Sequence, residues 1–430
     1  VTGVQLKVRE KPDPEATVLG WVRVGSRIRL TEAGDKSSTC ASGWHRIWPR
    51  GWVCAGEGVQ VGGEPPQPVG DEGGVEPPPR DGPLPYAYFF IKEPQTPEYH
   101  RLPSRDEQRA AQEHADHYLE LLDESESKAE RFREGKLPGP KSPAVVRRYL
   151  RRGFYVAGTG VEVRAFRRFV RTVWGSYIKQ QRTTRKTGYD YRGIELAETD
   201  HELPVAFALR TIRPLVREDD DEGNTSFRGD EEAEPIERQT VVEGWIERRR
   251  VGDHIYHVFE NDQGEERYTR AWFIGVAEKI EPPFELTEED EPWVHVALEE
   301  QTLVVYRGTE PVFVTLVSSG LDEHATPTGT FQIHAKHITD TMADLGPEAG
   351  DEQYSIHDVP WTQYFDGSIA LHGAFWHGRF GLQKSHGCVN LSPHDAHRVF
   401  EMTWPEIPEG WHGVKASEGG FLRSHVVVTE

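Results

Sequence analysis

Leu371-His372-Gly373, followed twelve positions past Gly373 by Ser385-His386-Gly387-Cys388-Val389-Asn390, is the stretch on which the reading of this chain turns. It sets two histidines and a cysteine where a thiol nucleophile needs them. A cysteine attacks as its thiolate, and a free thiol with a pKa of about 8.5 is little ionised at neutral pH, so an adjacent imidazole is the usual activator. Glycine beside both histidines lets backbone pack closely and leaves peptide N–H groups able to face a substrate oxygen.

Upstream, Trp293 to Leu298, Thr302 to Tyr306, Val312 to Ser318 and Thr330 to Ala335 read as strands. Turns at Gly308-Thr309-Glu310-Pro311 and Thr326-Pro327-Thr328-Gly329 separate them, which argues an antiparallel sheet or sandwich. No glycine-rich phosphate loop precedes a helix here, which argues against nucleotide chemistry. After Pro393 a helix-like stretch with Arg398, Phe400 and Met402 is read as packing.

The ordered set Gln301-Thr302-Leu303, Pro327-Thr328-Gly329-Thr330-Phe331, Leu371-His372-Gly373 and Ser385-His386-Gly387-Cys388-Val389-Asn390-Leu391 resembles the L,D-transpeptidase (YkuD-type) catalytic domain, over about residues 286–430. The resemblance implies a β-sandwich-like catalytic domain acting on the tetrapeptide stem of peptidoglycan. The enzyme would cut between the L-centre of the diamino acid and the terminal D-Ala, then pass the acyl group to an amine: a second stem, a wall protein or a D-amino acid. Position by position, Cys388 matches the nucleophile and His372 the general base, its ring oriented by the carbonyl of Gly373 in place of a carboxylate. His386 matches the histidine beside the nucleophile, and the N–H groups of His386, Gly387 and Cys388 match the oxyanion donors; losing one such donor typically costs about 10²–10³ in rate. Ser385 and Asn390 match the flanking polar pair, although many relatives carry arginine where this chain has Asn390. The resemblance further implies acylation of Cys388 by a carbapenem, no cofactor, and a bacterial location in the periplasm or envelope, with a signal or anchor taken to have been removed ahead of Val1.

The chemistry also stands on the residues alone. Thiol attack makes a thioester and expels an amine, and a second amine or water resolves it, the imidazole serving first as base and then as acid. Tyr354, Trp361, Tyr364 and Trp376 surround the motif; Trp376 and Tyr364 are taken as substrate-binding candidates, with core packing an equal account of such aromatics. A competing reading is zinc, because His372, His377, His386, Cys388, His394 and His397 cluster in sequence, but none of the usual zinc spacings is present and no metal is assigned. Two further readings remain: an L,D-carboxypeptidase, in which water resolves the thioester, and a catalytically inactive wall-binding scaffold.

The remaining two thirds are read more coarsely. At 430 residues a count of roughly two to four domains follows from ordinary domain sizes. Fifty Lys and Arg against 71 Asp and Glu give a net charge of −21, which argues against nucleic acid as a partner. No apolar run is long enough for a membrane span, and the chain opens at Val1 without the regions of a signal peptide. Cys40 and Cys54 are read as a disulfide outside the reducing cytosol, with three unpaired cysteines as the alternative.

Residues 1–60 alternate in short runs broken by Pro12, Pro14, Gly25 and Gly34, the pattern of a small antiparallel barrel, and with Gly43-Trp44-His45-Arg46-Ile47 and Gly51-Trp52-Val53 they resemble a bacterial SH3-like domain. Residues 61–85 read as a Pro/Gly-rich linker. Residues 86–285 read as β-rich material, with one or two degenerate SH3-like units as one reading, interrupted by one long helix from Ser104 to Gly135 that opens with a Ser104/Glu107 capping box. Ala111, Ala115, Tyr118, Leu122, Ala129 and Phe132 form its apolar stripe. The arginines and aromatics between Arg147 and Arg185 are expected to pair with the acidic runs at Glu218–Glu222 and Asp230–Glu234. The predicted class is therefore mainly β.

Overall fold

A computed structural model describes residues 5–34, 36–56, 59, 61–62, 77–344, 354–418 and 420–430. Most of the expected linker, residues 63–76, lies outside the described residues. The protein is mainly β, with helices at Arg105–Glu124, Glu126–Arg133 and Pro393–Met402 among the described residues. None of these is long and apolar enough to cross a membrane. The chain forms one compact unit of Val1–Thr187, Ile338–Val359 and Pro408–His412 and another of Gly188–His337, Pro360–Ile407 and Gly413–Glu430.

In the first unit, Gln5–Arg9 pairs antiparallel with Val18–Arg23 and, through Arg9, with Trp52–Cys54, while Trp44–Ile47 lies between Leu30–Glu32 and Trp52–Cys54. Val8, Leu19, Val22, Ile47 and Val53 are fully or nearly fully buried, with a register shift in the pairing of Val8 and Arg9 at Leu19. Cys40 and Cys54 are disulfide-bonded and Cys388 is free. A second β module is built from Ala87–Ile91, Thr96–Tyr99, Val146–Leu150, Tyr155–Arg164, Arg167–Thr172, Tyr177–Lys179 and Thr183–Lys186 around Phe89, Ile91, Val156, Val170 and Ile178.

The helical insertion departs from the single long helix. Its start is as read, with Ser104 Oγ accepting from the Glu107 N–H and the Glu107 carboxylate accepting from the Ser104 N–H. The helix stops at Glu124, because Ser125 is extended at φ −173°, and a new one begins at Glu126. Ala111 and Ala115 in the first helix and Ala129 and Phe132 in the second are buried, but Leu122, in the last turn before the break, is 41% exposed. The acidic-loop pairing is also corrected. The arginines find carboxylates in their own module, Arg148 with Glu98 at 2.6 Å, Arg171 with Glu162 at 3.6 Å and Arg182 with Glu93 at 3.4 Å. Glu218 pairs with Arg228 and Asp230 with Arg267, both within the second unit. Cross-strand neighbours come together at no loop-closure cost, which distant charge runs must meet first.

The second unit carries a six-stranded sheet in the order Ile194–Glu195, Glu310–Leu316, Thr302–Arg307, Pro292–Ala297, His425–Thr429 and Gly329–Gln332. Only the pairing of Pro292–Ala297 with His425–Thr429 is parallel. Trp293 stacks on Tyr306 at 4.1 Å in the core beneath, with Val304, Val314, Leu316 and Phe380. Lys336 is buried and donates to the carbonyls of Phe400 and Thr403 (2.5 and 2.7 Å), closing the C-terminal end of helix Pro393–Met402. A separate five-stranded sheet spans Leu215–Asp219 to Glu266–Arg270. Its last strand runs through a 3₁₀ turn, Ala271–Phe273, into Ile274–Ala277, the same strand, turn, strand sequence as Tyr177–Lys179, Gln180–Arg182 and Thr183–Lys186.

The disulfide closes a loop of 14 residues and by chain entropy contributes roughly 3 kcal/mol. We expect denatured, unreduced protein to titrate as one thiol, and reduction to lower the melting temperature; three thiols without reductant contradict the bridge.

Candidate active site

The site is assembled by two neighbouring strands. Ile369–Gly373 pairs in parallel with Val389–Leu391 in the register Leu371–Val389, His372–Asn390 and Gly373–Leu391. Paired residues point to the same face, and side chains alternate along a strand, so continuing that register to Cys388, immediately before the strand and two positions before Asn390, sets it on the His372 side. Parallel strands need a connection that leaves and returns, and residues 374–388 form it.

His372 is 3% exposed, and its Nδ1 lies 3.5 Å from the carbonyl oxygen of Gly373. Burial pushes its pKa down to about 4, against the pull of that carbonyl. The ring is therefore neutral at pH 7, with the proton on Nδ1 facing the carbonyl and Nε2 left as the basic nitrogen. Trp376 covers it, ring centres 5.6 Å apart. The partly exposed Cys388 sulfur lies 3.9 Å from the Ser368 carbonyl, and desolvation raises its pKa above that of a free thiol. Thiol and imidazole are thus both uncharged at rest.

The turn before Cys388 is tightly specified. Ser385 donates from Oγ to the Cys388 carbonyl and accepts the Gly387 N–H at 3.1 Å. Thr326 Oγ1 donates to the Gly387 carbonyl at 2.8 Å and accepts the Gly320 N–H at 3.0 Å. Gly387 has φ +108°, which a side chain opposes, so glycine is required for this turn. The Gly387 N–H, matched to an oxyanion donor by resemblance, is here committed to Ser385. His386 is exposed, its ring 4.9 Å from that of His324.

Asn390 is 3% exposed, with Nδ2 at 2.8 Å from His377 Nε2 and Oδ1 buried without a partner. Ser318 exchanges both backbone hydrogen bonds with Asn390 at 2.9 Å. The other sequence candidates part ways. Tyr364 packs its ring against His334 and His337 (6.2 and 6.0 Å), and Trp361 is buried on His397 and Phe400. The clustered histidines disperse: His377 to Asn390, His394 to Asp190 at 3.0 Å and His397 to Glu401 at 3.5 Å. Among the described residues no three His, Cys, Asp or Glu side chains are arranged to hold a metal ion.

Sequence reasoning missed the clamp on the loop after His372. Arg238 donates to the Gly378 carbonyl, and Gln239 Nε2 donates to the carbonyls of Gly378 and Phe380, both at 3.0 Å. The Tyr189 ring lies where any Cβ at Gly378 would go, 2.5 Å away. These residues are about 140 to 190 positions from their targets, and no local pattern announces such contacts.

With this geometry in place, the comparisons follow. Residues 291–408 match the profile of the L,D-transpeptidase catalytic domain. The YciB protein of Bacillus subtilis (strain 168), whose name assigns it provisionally to the L,D-transpeptidases, is 30% identical over 129 residues, covering 27% of this chain and 61% of its own length. This chain therefore spans less than two thirds of that curated relative. Among solved structures, a cysteine mutant of Enterococcus faecium L,D-transpeptidase is 21% identical over 36% of this chain and 55% of its own, with a TM-score of 0.26. An L,D-transpeptidase from Mycobacterium smegmatis is 21% identical over 41% and 77%, with a TM-score of 0.27.

An uncharged thiol and a depressed imidazole pKa make a specific pH dependence. We expect the alkylation rate of Cys388 by iodoacetamide to keep climbing as pH passes the ordinary thiol value of about 8.5, since desolvation raises the thiol pKa above it. A preformed thiolate–imidazolium pair would instead give a plateau from about pH 5 to 8. Turnover should be lost only as pH falls through about 4, where His372 takes up a proton and can no longer accept one.

Proposed function

We propose, from the premise that residues 291–408 form an L,D-transpeptidase catalytic domain, that this chain is a peptidoglycan L,D-transpeptidase working through a thioester on Cys388. His372 Nε2 takes the thiol proton as sulfur attacks the carbonyl of the diamino acid in a tetrapeptide stem. The C–S bond forms, the carbonyl electron pair moves to oxygen, and the Cys388 N–H donates to that oxyanion. The tetrahedral centre then expels D-Ala, which leaves with the proton that His372 carried. A second amine attacks the thioester, gives its proton to His372, and displaces the thiol, which takes that proton back.

The observation that carries this reading is the parallel register of His372 on Asn390, which sets a neutral base on the face of the sheet where Cys388 lies. Burial supports it further. A dry site strengthens the oxyanion hydrogen bond and slows hydrolysis of the thioester relative to attack by a bound amine, which favours transfer over the carboxypeptidase reaction. Trp376 is assigned as a wall of the stem site, and Ser385, with Gly387, as the pair that holds the nucleophile's turn. Asn390 acts through His377, which it holds beside the loop that carries Trp376. Residues 1–60 and the β modules of residues 86–285 are read as SH3-like and as wall-positioning elements. The reaction places the protein outside the cytoplasm, where the Cys40–Cys54 bridge is stable.

Incubation with stem tetrapeptide, followed by mass spectrometry, separates the readings. Transfer gives a cross-linked dimer with loss of one D-Ala, hydrolysis gives tripeptide alone, and an inert scaffold gives neither. Intact mass after exposure to a carbapenem should show one adduct on the wild type and none on Cys388→Ala. Equal labelling of both proteins contradicts the nucleophile.

A further inference from the structure

A cavity of about 390 Å³ lies within the unit of Val1–Thr187, Ile338–Val359 and Pro408–His412, lined by residues that take no part in the chemistry above, among them Arg23, Arg147, Arg148, Trp174, His357 and Asp358. Its volume falls in the range of small-molecule sites.

Of the buried side chains on its wall, Arg23, Asp358 and His357 are incompletely satisfied, and each lacks a defined kind of partner. Arg23 is 4% exposed and lies under the Trp174 ring at 4.8 Å. Its Nη1 donates to Asp358 Oδ1 and to Thr339 Oγ1 (2.9 Å), while its Nη2 is buried with no hydrogen-bond partner. Asp358, 1% exposed, receives Arg23 and Thr339 (3.0 Å) on Oδ1, and its Oδ2 is buried with none. His357 Nε2 stands 3.2 Å from Arg148 Nη2. A guanidinium can only donate, so Nε2 accepts and the neutral ring bears its proton on Nδ1, which is also buried without a partner. Burial, and next the charge of Arg148, lower the pKa of His357 and keep it in that form.

These three side chains therefore offer two unmet donors and one unmet acceptor. Buried polar atoms are otherwise nearly always paired, and three exceptions on one cavity call for a ligand that completes them. The backbone adds a further sign: Asp358 is held at φ +54°, with its carbonyl accepting from Tyr88 Oη at 2.6 Å, a conformation that the surroundings must enforce.

Charge selects the ligand class. Arg147 and Arg148 share the buried Glu98 at 3.7 and 2.6 Å, and Asp340 also lines the cavity, so Arg23, Arg147 and Arg148 are balanced by Glu98, Asp340 and Asp358. A lone anion would meet the bare oxygen of Asp358, and a lone cation would meet the N–H groups of Arg23 and His357. A zwitterion satisfies both. We infer that this cavity binds a free α-amino acid, its carboxylate on Arg23 Nη2 and His357 Nδ1 and its ammonium on Asp358 Oδ2.

Trp174 supplies a fluorescence reporter, and the test uses the full chain titrated with alanine of either hand, with acetate and methylammonium as the two half-ligands. Alanine should bind once per chain and more tightly than either half-ligand. Arg148→Gln, altered at a half-exposed side chain, releases the His357 tautomer and should weaken alanine by about tenfold or more, the usual effect of a lost hydrogen bond to a charged group. Asp358→Asn should bring alanine down to the affinity of acetate; should that buried substitution unfold the protein in a thermal melt, the Arg148→Gln titration decides alone. No binding of alanine by wild type up to about 10 mM, far weaker than a site-sized fragment should show, would mean that water fills the cavity and would overturn the inference. Acetate binding as tightly as alanine, or unchanged alanine binding by folded Arg148→Gln, would overturn it equally.

Discussion

The pairing of Ile369–Gly373 with Val389–Leu391 is the constraint on which the rest of the site depends. It is a short ladder, and a slip of one residue would turn His372 to the opposite face from Cys388. The protein guards against that slip from both sides. Ser318 clamps Asn390 by two backbone hydrogen bonds, a bridge between Gly320 and Ser385 repeats the attachment at the start of the turn, and Ser392 caps helix Pro393–Met402 directly beyond Leu391. The segment that follows strand Glu310–Leu316 thus holds the register. The helix adds its own anchor, since Asp395 accepts from Thr315 Oγ1 at 2.6 Å and from the Gly193 N–H at 2.8 Å.

The electrostatics of the site follow from its burial. A carboxylate behind His372 would raise the ring's basicity and favour an ion pair with the thiol. The Gly373 carbonyl orients the ring with only a partial charge, and desolvation carries the pKa down to about 4. The resting pair is uncharged, so in the proposed mechanism proton transfer accompanies attack on the substrate, and an un-ionised thiol resists indiscriminate alkylation and oxidation. That protection suits a protein whose remaining two cysteines are already oxidised to a disulfide.

Much of the site was legible in the sequence because its chemistry is local. Ser385 to Asn390 is one turn and one strand, and its glycine, serine and cysteine have roles that neighbours in the chain define. The Ser104/Glu107 capping box and the Cys40–Cys54 bridge were legible for the same reason. Features set by distant contacts were not. The break at Ser125 lies in an acidic run with no apolar period to reveal it. Arg238 and Gln239 are invisible as a clamp until the fold brings them to Gly378. The buried atoms Arg23 Nη2, His357 Nδ1 and Asp358 Oδ2 come from segments more than 330 residues apart at their widest, and only coordinates reveal that they line one cavity.

The central claim is that His372 is a neutral base with its proton fixed on Nδ1. Long-range ¹H–¹⁵N spectra of histidine-labelled protein, assigned with a His372→Gln variant, measure tautomer and charge directly. The account predicts an Nδ1-protonated, neutral ring for His372 from pH 8 down to the neighbourhood of its titration at about 4. An imidazolium signal at neutral pH, or a proton on Nε2, would contradict it.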